Sequence, residues 1–296
     1  MRIDSSERRE FLRVAAVGLA AAATGTGLLT KLRATPLGLP IGIQLGWVKD
    51  ECEKDLNGTL EKLANIGYRE VEAFAPFFDQ SPKEFRRILD AHGLRCASAH
   101  WGIAPPGPEW ERQAEGAQQI GLSYLTVPSL REVAFAKSLD DCKRNVETFN
   151  RMGEQCHRAG LQLAVHNHVA EFRNFGGVIG YDVLMKGTNP KLVTFELDCF
   201  WCVFAGQDPA EYLKRYPGRY RLLHIKDMKP GLAPSGKQGE GQPFTEVGRG
   251  VINWKLVFAA APKAGVEHYY VEQDRCDRPP LESAKISCEY LKQFRD

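Results

Sequence analysis

The chain has 296 residues, of which 43% are hydrophobic, 26% charged and 10% aromatic, with 28 Gly and 17 Pro. That mixture excludes a disordered chain, a collagen and a coiled coil, and the length suffices for one large barrel-type domain or two small ones. Residues 1–34 hold six Lys/Arg against three Asp/Glu, which leaves the remainder at −1 of a total of +2, so no basic surface is left for nucleic acid.

In chain order, the first feature is the pair Arg8 and Arg9, followed by Phe11 and Leu12 and then by an uncharged, Ala- and Gly-rich stretch from Val14 to Thr30. The pattern resembles a twin-arginine export signal. Gly18, Gly25 and Gly27 interrupt it, and it falls short of the roughly 20 strongly apolar residues of a membrane span. Residues 1–34 are therefore expected to be a signal segment and residues 35–296 the folded domain, periplasmic or secreted, with no stable membrane association. The eight cysteines are scattered and read as small buried hydrophobes, with disulfides open in that compartment. Cys199 and Cys202 form a CxxC that has no second pair to complete a zinc site.

From Ile41 onward, short β-rich runs alternate with amphipathic stretches, several of which close on Gly. The runs are IGIQLGW (41–47), REVEAF (69–74), RCASAH (95–100), YLTVPS (124–129), LQLAVHNH (161–168), VTFELDCF (193–200), YRLLHIKD (220–227) and HYYVEQD (268–274), with helices predicted to end at Gly67, Gly93, near Gly121 and at Gly160. Eight strand–helix units without a Pro/Ser linker predict an α/β fold, a single (β/α)8 barrel. An open doubly wound sheet is the rival, but no Gly-rich phosphate loop follows the first run, and polar residues stand at the ends of nearly all of them.

Those ends would converge on one mouth. They supply Gln44 and Trp47, Glu72, His100 and Trp101, His166 and His168, Glu196 or Asp198, His224 with Lys226 and Asp227, and Glu272 with Asp274. Side chains alternate along a strand, so His166 and His168 share a face, as do Glu196 and Asp198, His224 and Lys226, and Glu272 and Asp274. Imidazoles and carboxylates crowded together need a shared partner, and a divalent cation meets that need. His plus carboxylate without a thiolate suits one Mn, Co, Zn or Mg ion.

The blocks LAVHNHVAEF, FELDCFWCVFAGQDP, LLHIKD, EVGRGVINW and YYVEQD resemble the signature segments of the sugar phosphate isomerase/epimerase family, the xylose isomerase-like barrels, in the branch whose fifth strand ends in HNH and which often carries export signals. The resemblance covers roughly residues 40–296. It implies a metal held by Asp198, His224 and Glu272, with a first ligand that is either Glu171, just beyond the fifth strand, or His166 in the place of the Glu of relatives that read ENH. Glu171 is preferred because three carboxylates and one His match the family's charge. Homo-oligomers are common in such a family.

The implied chemistry is deprotonation beside a sugar carbonyl to give an enediolate, with the ion stabilising the oxygen charge. Glu272 is the first candidate base, Glu171 or His168 serves the opposite face, and Lys226 holds an anionic oxygen. Gln44, Glu72, His100 and His166 are candidate hydroxyl partners, and Trp47 and Trp201 candidate stacking platforms for a free or keto sugar. The leading expectation is a metal-dependent isomerase or epimerase. A lyase or hydrolase on a 3-keto-glycoside and a non-catalytic periplasmic sugar binder are the alternatives. Abasic-site endonucleases share the superfamily but need a basic face that this chain lacks.

Overall fold

A computed structural model describes residues 35–128, 136–231 and 243–295. The proposed signal segment lies outside them. Eight parallel strands close a barrel in which each strand pairs with its neighbours in the chain and the last pairs with the first. They are β1 (Gly42–Gln44), β2 (Glu70–Phe74), β3 (Arg95–His100), β4 (Tyr124–Val127), β5 (Gln162–His166), β6 (Val193–Asp198), β7 (Tyr220–Ile225) and β8 (His268–Val271). Two short hairpins, Asn174–Phe175 with Val178–Ile179 and Asp227–Met228 with Phe244–Thr245, follow β5 and β7. The single (β/α)8 barrel expected from the alternation is therefore the fold.

Several strands are shorter than their β-rich runs. β1 stops at Gln44, whose side chain accepts from the Gly46 N–H and turns Leu45–Val48 into a 3-10 segment that carries Trp47. β6 stops at Asp198, whose Oδ1 accepts from Trp201 N at 2.9 Å and starts the helix Cys199–Phe204. CFWC is thus a helical turn, and all eight cysteines are free thiols. Surrounding helices begin on the residues that favour N-caps: Ser81, Ser138, Asp208 and Asn253 each accept from a first-turn N–H. Gly121 and Gly265 close two of them in the left-handed conformation that glycine adopts without steric cost.

The apolar core lies mainly between barrel and helices. Ile43, Val71, Leu125, Leu163, Phe195, Leu223 and Val271 point outward from successive strands, each with at most 2% exposure, and Leu60, Phe85, Phe149 and Leu213 meet them from the helices. Each such side chain contributes about 1.5–3 kcal/mol on burial. Inside the barrel, Tyr124, Ala164, Leu222 and Tyr270 form a separate plug. Strand alternation sets Thr126, His166, His224 and Glu272 two residues further along the same faces, nearer the C-terminal mouth.

Candidate metal centre and active site

A cavity of about 240 Å³ opens where the strands end. Gln44, Trp47, His100, His166 and His168 line one part of it, and His224, Lys226, Glu272 and Asp274 the other. Eight of the residues expected to carry function thus meet in one place, together with Asp274. Glu72 and Trp201 do not line the cavity. Glu72 is fully buried inside the barrel, and Trp201, 2% exposed because the chain has already turned into a helix, packs against Phe200, Phe204 and Phe244.

Two groups of side chains offer ligand atoms that all lie within 4.8 Å of one another: Asp198, His224 and Glu272, and a second made of His100, His166, Glu196 and His224. Hydrogen bonding separates them. In the second group Glu196 Oε2 receives His100 Nε2 at 2.9 Å and His166 Nδ1 at 3.0 Å, with His224 Nε2 at 3.3 Å, which leaves Glu196 Oε1 as the buried oxygen without a hydrogen bond. In the first, Asp198 Oδ2 and Glu272 Oε2 are buried against the Lys226 ammonium alone, and His224 Nδ1 is buried with no hydrogen-bond partner among the described residues. His224 Nδ1 stands 3.7 Å from Asp198 Oδ2, too far for a hydrogen bond. Buried donor and acceptor atoms left without partners are costly, and one carboxylate–imidazole–carboxylate set fits a divalent ion.

Glu171 is not part of either group. It sits in the single 3-10 turn Ala170–Phe172, where its carboxylate accepts from His168 N at 2.8 Å, and burial pushes its pKa up. The expected first ligand thus stands outside both groups, with one oxygen on the His168 N–H. His166, its alternative, belongs to the second group and not the first. Glu196, which strand alternation put forward with Asp198 but the resemblance left out of the ligand set, joins three imidazoles.

The cationic counterpart of the carboxylates is Lys226, 1% exposed. Its Nζ lies 3.1 Å from Asp198 Oδ2 and 2.6 Å from Asp274 Oδ2, touches Glu272, and faces the rings of Trp201 and Phe244, both at 5.4 Å. Burial opposes its charge, but Asp198, Asp274 and Glu272 outweigh that and hold it protonated well above the usual lysine range. His168 differs: burial, reinforced by Lys226, lowers its pKa to about 4, so the imidazole is neutral at pH 7. Burial and the nearby Asp274 carboxylate raise Glu272 to about 7 against the pull of Lys226. For His100 burial works against the charge, but Glu72 and Glu196 raise it to about 9.

Next to Lys226, Asp227 is wholly buried and accepts from the main-chain N–H groups of Met228, Gly248, Gly250 and Ile252 and from Trp254 Nε1. It ties the 246–254 segment to the end of β7.

A barrel with an imidazole–carboxylate centre at its C-terminal mouth defines a class of metal-assisted barrel enzymes. The family model described as xylose isomerase-like TIM barrel matches residues 60–294, and the chain belongs to that family. Among its relatives, an inosose dehydratase of Geobacillus thermodenitrificans (strain NG80-2) is 30% identical over an alignment covering 84% of this chain and 94% of that protein. A crystal structure of a sugar phosphate isomerase/epimerase from Parabacteroides distasonis ATCC 8503 superposes with a TM-score of 0.73 at 28% identity, covering 86% of this chain and 94% of that one. A protein named IOLI, whose crystal structure carries a zinc atom, shares the fold at 15% identity with a TM-score of 0.66, covering 86% and 96% of the two chains.

Proposed function

We propose that this protein is a divalent-metal-dependent lyase that eliminates water from a keto sugar. The observation that carries the reading is the convergence of three buried ligand atoms beside a small cavity, Asp198 Oδ2, Glu272 Oε2 and a His224 Nδ1 that has no hydrogen-bond partner among the described residues. The dehydratase relative supports elimination as the outcome. The cavity of about 240 Å³ is below the roughly 300–1,000 Å³ of sites for drug-sized ligands, which suits a single sugar ring.

When bound, the ion supplies positive charge that lowers the cost of an enolate oxygen. The remaining work falls to side chains. His168, neutral at pH 7, is the base for the proton on the carbon beside the carbonyl. Lys226, permanently charged and fixed by carboxylates and rings, holds the oxygen that becomes negative. The C–H pair becomes the new C=C bond, the β-C–O bond breaks, and the proton carried by His168 leaves with the hydroxide as water. Gln44, His100 and His166 line the same cavity and serve as hydroxyl partners, with Trp47 beside the ring.

A second reading, isomerisation or epimerisation, is supported by the 28% identical Parabacteroides structure. In it the same base returns the proton to carbon. One experiment separates them: the Mn- or Zn-loaded protein is incubated with a panel of keto sugars in D2O, and products are read by mass and stereochemistry. Loss of one water supports the lyase, whereas deuterium gained at carbon with no loss of water supports the isomerase. Saturable sugar binding with neither change would overturn both and leave a binding protein. Export through the twin-arginine segment belongs to the same proposal, and an Arg8→Lys, Arg9→Lys variant retained inside the cell would support it.

A further inference from the structure

Two wholly buried carboxylates inside the barrel, Glu72 and Glu196, have no role in that chemistry, and Glu72 is the one that bears on the metal centre. Glu72 is 0% exposed, on the second strand, and reaches across the barrel interior to a residue 152 positions later, His224, whose Nε2 donates to Glu72 Oε2 at 2.6 Å. Its other oxygen, Oε1, accepts from Ser98 Oγ at 2.6 Å, and Ser98 Oγ in turn lies 2.7 Å from Thr126 Oγ1. The carboxylate is thus clamped at both oxygens, with His100 Nε2 3.1 Å from the one that holds His224. Burying a carboxylate completely is expensive, and the position is also irregular in the backbone. The β2–β3 register slips by one residue between Val71 and Glu72, and the β6–β7 register slips between Phe195 and Glu196, the other carboxylate at this level. Such irregularities re-aim a side chain.

We propose that Glu72 is a positioning residue for the metal centre: it fixes the His224 ring with Nε2 protonated and turned into the barrel, so that Nδ1 faces Asp198 and Glu272. An imidazole has two nitrogens, and the hydrogen bond made by one decides which is left for a metal. Here the decision comes from the far side of the barrel. The inference rests on the reading of Asp198, His224 and Glu272 as the ion's ligands, and it adds that Nδ1 is the coordinating atom and that Glu72 sets it.

The test uses the purified full-length chain, stripped of metal and titrated with zinc or cobalt(II) between about pH 6 and 9, so that affinity is compared after correction for proton competition. Glu72→Gln is expected to bind one ion about 10–100-fold more weakly, the usual effect of removing a ligand's supporting partner. Its cobalt(II) absorption spectrum should change, while Thr126→Val, which alters the hydroxyl beyond Ser98, stays within about threefold of the wild type by the same comparison. Nitrogen-15 long-range NMR of the zinc-loaded wild type needs no variant and should show His224 metallated at Nδ1 and protonated at Nε2. Metal at Nε2, or Glu72→Gln binding as tightly as the wild type, would overturn the role given to Glu72. A wild type that takes up no ion, or an Asp198→Asn variant that binds undiminished, would instead overturn the ligand set itself.

Discussion

Two layers of polar side chains lie one above the other in the barrel, and they settle their charges differently. In the lower layer, Glu72 and Glu196 are enclosed by Ser98 and by the imidazoles of His100, His166 and His224. In the upper layer Asp198, Glu272 and Asp274 share Lys226, and His224 Nδ1 is buried beside them without a hydrogen bond among the described residues. The lower layer binds most of its polar atoms to one another and leaves Glu196 Oε1 over; the upper one has a single ammonium for three carboxylates and leaves His224 Nδ1 free beside them. Stability explains neither, since buried charges draw on the apolar shell around the barrel rather than add to it.

The contrast can be broken most sharply at the base. His168→Ala should lower turnover by about 10²–10⁴-fold with the ion still bound, because the ring touches the substrate cavity and no member of either ligand group is lost. Steady-state rates beside metal analysis check this. Asp198→Asn keeps the Oδ1 that caps the following helix but removes an anionic ligand, so ion affinity should drop by more than the roughly 100-fold ceiling for a supporting residue. Calorimetric titration would show it, and an unchanged affinity would erase the difference between the layers. The metal-free protein should also bind its ion more tightly as pH rises. Burial opposes a charge on His224, but Glu196 and Glu72 outweigh it and keep the ring protonated well above the ordinary histidine range. An ion taking Nδ1 must displace that proton, so affinity gains up to about one decade per pH unit until the ring is neutral beforehand. The smallest effect lies outside both layers: Ser138→Ala removes a helix cap and should cost about 1 kcal/mol in denaturant unfolding without moving ion affinity.

The barrel was legible because alternation of strand and helix is a repeated, local signal. The face on which a residue points was legible too: His166, His168, His224, Lys226 and Glu272 all line the cavity as strand alternation requires. Height along the barrel was not. A period of two places Glu72 inside but does not say whether it reaches the mouth, and the slip before it leaves no mark in the residue types. Strand ends were hidden where one side chain bends the chain: Asp198 starts a helix and carries Trp201 away from the cavity, and Glu171 spends its carboxylate on the His168 N–H. Both are short polar contacts competing with the pattern around them.

The Asp227 carboxylate grips four main-chain N–H groups and one indole N–H, and main-chain groups are the same whatever side chain they bear. Gly250 is a fixed point, since a Cβ there would collide with Asp227 itself. Gly248, left-handed and packed against Tyr290, is another, and Trp254 grips through its own side chain, but the exposed Arg249 and Val251 can change while the path of the chain over the end of β7 stays put. Its main-chain anchor leaves those two side chains out of the grip, so they can be exchanged or labelled without disturbing Asp227 or the neighbouring Lys226.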